Sequence, residues 1–141
     1  MAKSKGISGF SLTLLRVVLG FIFIYHGYLK LFVKGSLPGT AFFFSQTGIP
    51  LPNISAVVVA FVEFTGGLLL LIGLFTKWTS LVLVFEMAVA FFKVHLKKGF
   101  LISNGGYEFV LLILAALVVI LAYGPGRFSF GKRFFKSRHL H

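Results

Sequence analysis

The stretch NISAVVVAFVEFTGGLLLLIG, residues 53–73, decides the fold of this chain. A helix needs about 20 apolar residues to cross the hydrocarbon core of a bilayer, and Glu63 is the single charge in this stretch. Further apolar runs cover residues 10–33, 79–95 and 107–123. We therefore predict an all-α fold, a four-helix transmembrane bundle with short loops and both termini on the same side.

The composition indicates a single membrane domain with little soluble structure. The chain has 141 residues, of which 57% are hydrophobic and 12% are charged, whereas a soluble domain carries roughly 25% charged residues. A basic, aromatic tail, residues 124–141, follows the last run, and we interpret it as an interfacial anchor. The aromatic segment 41–44 is too short to span, so we place it at the membrane interface.

The net charge of +11 is read as a membrane feature. Many Lys and Arg residues flank the apolar runs, where anionic headgroups attract them, and the chain has no soluble face on which nucleic acid would bind. The expected surroundings are therefore the lipid bilayer and no nucleic acid. The absence of cysteine excludes disulfides and thiol chemistry, and there is no haem or flavin motif. Any redox role would need a bound cofactor or a partner.

The positive-inside rule predicts the orientation. The side that would hold both termini has more basic residues (Lys3, Lys5, Lys77, Arg127, Lys132, Arg133, Lys136 and Arg138) than the other side (Lys30, Lys34, Lys93, Lys97 and Lys98). We therefore expect a multi-pass protein of the cell membrane with cytoplasmic termini.

Charged residues inside the spans give the candidate site, because such residues are costly in lipid and normally pair inside the bundle. The three acids of the chain all fall within or beside predicted spans. We predict one polar cluster, with His26, Glu63, His95 and Glu108 as proton-handling residues and Arg16 and Lys30 as substrate-binding residues. Arg16 or His26 is the expected partner of Glu63. Glu86 is left outside this site and is expected to pair with Lys93.

Structural explanations compete with each of these roles. Glu108 at a helix N-terminus is favoured by the helix dipole, and Arg16 could extend to the headgroups. His26 and His95 could be hydrogen-bonded residues of the bundle. The two histidines with their carboxylates match no known metal-ligand spacing, so no metal site is predicted.

The order of several short motifs resembles the DoxX family of small membrane proteins over roughly residues 14–129. The matching elements are Arg16, His26-Gly27, Lys30-Leu31-Phe32, Gly48-Ile49-Pro50, Glu63 with Gly66-Gly67 and Gly73-Leu74, Met87, Ala90 and His95, Gly105-Gly106-Tyr107-Glu108, and Gly124-Pro125-Gly126-Arg127. Glu86 departs from the pattern, because an uncharged residue is usual there.

The resemblance implies a four-helix bundle, and a role like that of a membrane subunit similar to thiosulfate:quinone oxidoreductase. The expected function is thus a membrane subunit of a quinone-linked redox complex that binds a quinone headgroup or a small oxyanion. Such a subunit would work with a partner oxidoreductase subunit or as a homo-oligomer. Wider relatives include membrane chaperones, so a non-enzymatic assembly factor or scaffold is the alternative, followed by a small-solute carrier.

Overall fold

The protein is entirely helical over the residues that its computed structural model describes, 2–134, with the side chains of 2–7, 132 and 134 left aside. The helices are α1 (Ala2–Phe32), α2 (Ser36–Gln46), α3 (Pro52–Ile72), α4 (Thr76–Ala90), α5 (Glu108–Tyr123) and α6 (Phe130–Phe134). Residues 135–141 of the predicted basic anchor lie outside the described range.

Three helical segments are long and apolar enough to cross a membrane: Ser8–Phe32, Pro52–Ile72 and Thr76–Lys98. The third combines α4 with a π-helical turn, Phe91–His95, and a 3₁₀ turn, Leu96–Lys98. The fourth predicted span corresponds to α5, which is apolar but only 16 residues long, or about 24 Å at the α-helical rise. The aromatic segment 41–44 belongs to α2, an 11-residue helix that packs against α3.

The outside of the bundle is apolar, as a lipid-facing surface requires. Large hydrophobic side chains that are more than half exposed occur on α1, α3, α4 and α5, including Phe21, Phe61, Phe85 and Leu112. An exposed apolar surface of this extent would be an aggregation or binding surface on a soluble monomer. Together with the three long apolar helical segments, this surface identifies a protein embedded in lipid.

The buried core lies between α1, α3, α4 and α5. Its members are mostly aliphatic (Leu19, Phe23, Leu70, Leu83, Met87, Val110, Ile113, Leu117 and Ile120). In lipid, the hydrophobic effect does not drive helices together, so close packing must stabilise the association.

The closest packing joins α1 and α3, which make the most extensive interhelical contact. A Cβ atom added to Gly20 would lie 2.9 Å from the Gly67 carbonyl oxygen, and one added to Gly67 would lie 2.8 Å from the Gly20 carbonyl oxygen. A Cβ atom on Gly27 would lie 2.7 Å from the Cα atom of Phe64. Glycine at these positions lets the two backbones touch, as small residues do in membrane helix pairs.

A tight turn reverses the chain between α3 and α4. Gly73 ends α3 with φ at 74°, a left-handed conformation that glycine adopts without steric cost. Its N–H donates to the Leu69 carbonyl at 2.9 Å. Because the turn is short, α4 runs antiparallel to α3, and residues at equal distances from the turn lie at similar depths.

The glycine contact between α1 and α3 predicts contrasting effects for two neighbouring substitutions. Gly67→Ala forces the backbones apart, and we expect it to lower the free energy of unfolding by about 1–3 kcal/mol, the usual cost of overpacking. Gly66→Ala is the matched control, since its Cβ would meet Leu83 side-chain atoms no closer than 3.4 Å. Thermal unfolding of both variants in detergent is the measurement. Equal stability of the two variants would contradict the packing described.

Candidate functional site

An ion pair between α1 and α3 forms the centre of the site. The ammonium of Lys30 donates to Oε2 of Glu63, and the two side chains are 20% and 7% exposed. The antiparallel contact of the helices brings Lys30, near the end of α1, to the middle of α3. The pair neutralises a carboxylate that would otherwise be buried in lipid without a counter-charge.

Glu86 of α4 lies against this ion pair. Its side chain is within hydrogen-bonding range of Glu63 and within electrostatic range of Lys30. Its Oε2 is buried without a donor from the described residues. Two ionised carboxylates can only accept hydrogen bonds, so a hydrogen bond between Glu86 and Glu63 requires a proton on one of them. The expected pairing of Glu86 with Lys93 is therefore wrong, because the antiparallel α3–α4 turn brings Glu86 to the depth of Glu63.

His26 lies at the edge of the same cluster, one helical turn before Lys30. It interacts electrostatically with both Glu63 and Lys30, and it is partly exposed on the surface of α1. The Tyr25 ring contacts it edge-on, with 6.1 Å between centroids. The imidazole thus lies between the buried pair and the outside of the bundle.

The polar cluster lies beside a large apolar pocket between α2, α3 and α4. The pocket has a volume of about 880 Å³, and Lys30, Glu63 and Glu86 form part of its wall. Its other walls are mostly apolar (Phe43, Phe44, Ile49, Pro50, Leu51, Ile54, Val58, Val59, Val62, Val82, Phe85, Met87, Val89, Ala90 and Val94), with Ser36, Thr40 and Ser55 among the few polar lining residues. Apolar walls with a small convergent polar group are typical of sites for small lipophilic molecules.

Arg16 occupies the opposite end of the bundle, where it contacts main-chain carbonyls. Its Nε donates to Pro125 at 2.9 Å, Nη1 donates to Leu70 and, at 2.8 Å, to Leu71, and Nη2 donates to Phe128 at 2.5 Å. The side chain is 2% exposed. Arg16 thus binds carbonyls at the C-terminal end of α3 and in the segment after α5. The partner of Glu63 is Lys30, and not Arg16 or His26 as predicted.

His95 and Glu108 flank the connection between α4 and α5, and Glu108 is the first residue of α5. Nδ1 of His95 is 2.7 Å from the Gly105 carbonyl oxygen, which can only accept, so Nδ1 carries the hydrogen. Oε1 of Glu108 accepts from the N–H of Ile102 at 2.5 Å. Both residues therefore hold the connection in shape, and the structure does not bring them into contact with Glu63. Of the six predicted site residues, Lys30, Glu63 and His26 come together.

Sequence reasoning left Glu86 outside the site, although a signal for it was present. Glu63 and Glu86 lie at almost equal distances before and after the Gly73 turn, and consecutive helices joined by a tight turn are antiparallel. This spacing alone places the two acids at one depth. The π-helical turn that begins at Phe91 changes the direction of the helix surface beyond Glu86, so ideal helical spacing from Glu86 does not give the direction of His95. Among the described residues, no three His, Asp or Glu side chains form a cluster that could hold a metal ion.

Comparison with known proteins gives one matching family and several relatives. The DoxX family model matches residues 11–96. An uncharacterized protein of Haemophilus influenzae is 34% identical over 130 residues, which is 89% of this chain and 92% of the relative.

Two other relatives are described by name or location. The Bacillus subtilis protein called "Putative oxidoreductase CatD" is 35% identical over 100 residues, 71% of this chain and 70% of its own. An uncharacterized membrane protein of Mycobacterium tuberculosis is 30% identical over 137 residues, 89% of this chain and 82% of its own. No solved structure matches significantly.

The cluster predicts an asymmetry between the two members of the ion pair. Lys30→Met leaves Glu63 and Glu86 without a cation, and we expect it to cost about 3 kcal/mol or more of unfolding free energy. Glu63→Leu should cost less, because Glu86 remains to pair with Lys30. The double variant should cost less than the sum of the two, as for coupled neighbours. Unfolding in mixed detergent micelles measures all three.

Lys93→Met is the control for this series. Lys93 is exposed, so we expect its loss to change the unfolding free energy by no more than about 0.5 kcal/mol. Strictly additive effects of Lys30→Met and Glu63→Leu, or a Lys93→Met variant as unstable as Lys30→Met, would contradict the arrangement described.

Proposed function

Because the chain belongs to the DoxX family of membrane proteins, we propose that it is the integral membrane subunit of a quinone-linked redox complex. The quinone headgroup binds beside Lys30, Glu63 and Glu86, and the isoprenoid tail lies along the apolar walls of the α2–α4 pocket. The observation that carries this proposal is a small polar cluster, formed by residues of the long apolar helices, that opens into a large apolar pocket. The name of the Bacillus relative, an oxidoreductase, agrees with it.

The charge of the cluster favours a quinone over an oxyanion. The single ammonium of Lys30 faces two carboxyl groups, Glu63 and Glu86. A cluster of two carboxyl groups and one ammonium binds an oxyanion unfavourably. Arg16, the other expected cation, lies at the far end of the bundle and cannot compensate. A quinone is neutral, and its carbonyl oxygens accept hydrogen bonds from an ammonium or a protonated carboxyl group.

The proposed chemistry is proton transfer to and from the quinone. Reduction of a quinone to its quinol takes two electrons and two protons, and oxidation releases them. The electrons come from or go to a partner oxidoreductase subunit, because this chain has no cysteine and no haem or flavin motif. Glu86 and Glu63 hold the proton next to the quinone oxygen, Lys30 donates a hydrogen bond, and His26 exchanges protons at the edge of the cluster.

The roles of the other predicted residues follow from their contacts. Arg16, His95 and Glu108, which sequence analysis assigned to the same site, bind main-chain groups elsewhere in the bundle. We propose that they stabilise the fold and do not touch the quinone. Glu86 takes a place in the site that the sequence prediction had given to His95.

Quinone binding is tested by filling the pocket with a larger side chain. Val58 lines the pocket and neighbouring Val57 does not, yet both are substantially exposed on α3. We expect Val58→Trp to weaken the affinity for a short-tail benzoquinone or naphthoquinone by about tenfold or more, since overpacking a formed site is unfavourable. Val57→Trp is the matched control and should bind like the wild type. Titration in lipid nanodiscs gives the affinities.

A second arm of the same experiment tests the proton-handling role. Glu86→Gln should keep quinone affinity within a few fold but slow quinone reduction in the presence of the co-purified partner, because the amide cannot carry the proton. Glu108→Gln replaces an acid outside the pocket and should not affect the rate. Absence of quinone binding by the wild type, or equal binding by Val57→Trp and Val58→Trp, would reject this function and favour the non-enzymatic scaffold.

We also propose that α5 is a fourth span, and that both termini lie on the cytoplasmic side of the cell membrane. The N–H of Arg127, just after α5, donates to the carbonyl of Gly9, near the start of the first span, at 2.9 Å. This contact between the two segments supports the proposal. The larger number of Lys and Arg residues on the side that would hold both termini favours the cytoplasm.

The topology predicts which side of the membrane each loop faces. Because the chain has no cysteine, single substitutions Lys77→Cys, Asn104→Cys and Arg133→Cys can be labelled in intact cells with an impermeant maleimide. We expect labelling of Asn104→Cys from outside and protection of the other two until the membrane is permeabilised. Labelling of Asn104→Cys and Arg133→Cys from the same side would show that α5 does not cross.

A further inference from the structure

A second cavity lies at the end of the bundle opposite the proposed quinone site. It has a volume of about 660 Å³ and is formed by the first turns of the membrane-spanning part of α1, the end of α3, residues 127–130 and Arg133. Three arginines line it: Arg16, Arg127 and Arg133. Trp78 is largely exposed on the helix that starts beside this end, and exposed Trp is typical of the membrane–water interface.

No acidic side chain of the chain is available to balance these arginines. The chain has only three acids. Glu63 pairs with Lys30, Glu86 lies against Glu63, and Glu108 binds the N–H of Ile102. Glu63 is itself about 14 Å along α3 from the end of that helix at the α-helical rise. The positive charge of the cavity is therefore uncompensated by side chains.

The buried arginine supplies a fixed charge at the inner wall. Arg16 is 2% exposed, and its four hydrogen bonds to carbonyls lock the guanidinium in place. A guanidinium has five N–H donors, so one N–H of Nη2 remains for a further acceptor. The hydroxyl of Thr13 is already used, since it donates to Gly9 at 3.0 Å and accepts from the N–H of Phe128 at 3.2 Å.

Arg127 and Arg133 form the outer wall and are both exposed. The guanidinium of Arg127 lies 5.6 Å from the centroid of the Phe128 ring, which orients it without neutralising it. Exposed arginines around a fixed buried one can close on a group that offers several oxygens, because the planar fork of arginine matches phosphate geometry.

From this arrangement we propose that the cavity binds a phosphate group, held by Arg127 and Arg133 and attracted by the buried charge of Arg16. The phosphate could belong to the headgroup of an anionic phospholipid or be a free phosphate ion, because both present the same oxygens. The position of the cavity at the membrane interface favours the lipid. This site is separate from the proposed quinone pocket, and neither proposal depends on the other.

The test compares lipids and paired variants of the full chain. Delipidated protein in detergent is titrated by native mass spectrometry with phosphatidylglycerol and with phosphatidylcholine of the same acyl chains. We expect the wild type to bind phosphatidylglycerol about tenfold more tightly or better. In Arg127→Gln/Arg133→Gln the preference should disappear, and in Lys34→Gln/Lys97→Gln it should remain. The second pair removes the same charge from exposed lysines at the other end of the bundle.

A competition arm distinguishes the two sources of phosphate. Displacement of phosphatidylglycerol by millimolar sodium phosphate, and not by sodium chloride of equal ionic strength, assigns the site to the phosphate group whatever carries it. Retention of the lipid in sodium phosphate assigns it to the phospholipid headgroup. Equal affinity of the wild type for the two lipids, or an unchanged preference in Arg127→Gln/Arg133→Gln with a wild-type melting temperature, overturns the proposal.

Discussion

The backbone contact between α1 and α3 sets the geometry of both polar regions of the bundle. Gly20, Gly27 and Gly67 leave no room for side chains between the two helices, so the register of one helix on the other is fixed by shape. In that register, Lys30 near the end of α1 reaches Glu63 in the middle of α3, and Arg16 reaches the last carbonyls of α3. A shift by one turn would separate both cations from their partners in a medium where an unpaired charge is costly.

The polar residues of the spans thus serve two distinct purposes. At one end, Arg16 binds carbonyls that the end of α3 and the following segment would leave unsatisfied, which is a structural requirement in lipid. At the other, Lys30, Glu63 and Glu86 form a group whose second carboxyl is not needed to neutralise the ammonium. A bundle that required only helix register would be served by one acid, so the extra carboxyl beside a large pocket is the feature on which the proposed function rests.

The connection between α4 and α5 shows how strongly main-chain requirements shape a small membrane protein. His95 and Glu108 look like functional groups on a helical wheel, yet each binds a main-chain group within the connection. The aromatic rings of Phe91, Phe100 and Tyr107 pack on one another there. The main-chain groups of such a connection must find hydrogen-bond partners, and the nearest polar side chains supply them.

The sequence by itself determined the membrane class, the helical fold and three of the spans, because apolar runs of about 20 residues with few charges satisfy their backbone groups in a bilayer by forming helices. It also identified Glu63 as a residue that needs a partner. Only the tertiary structure decided which partner it has, since Arg16, His26 and Lys30 all lie near one face of α1 and differ mainly in depth. The place of Glu86 in the site was likewise decided by the tertiary structure. It depends on the antiparallel α3–α4 turn and on the π-helical turn beyond Glu86. These turns set the relative depth and rotation of the helices, which the hydrophobic pattern of a single helix does not contain.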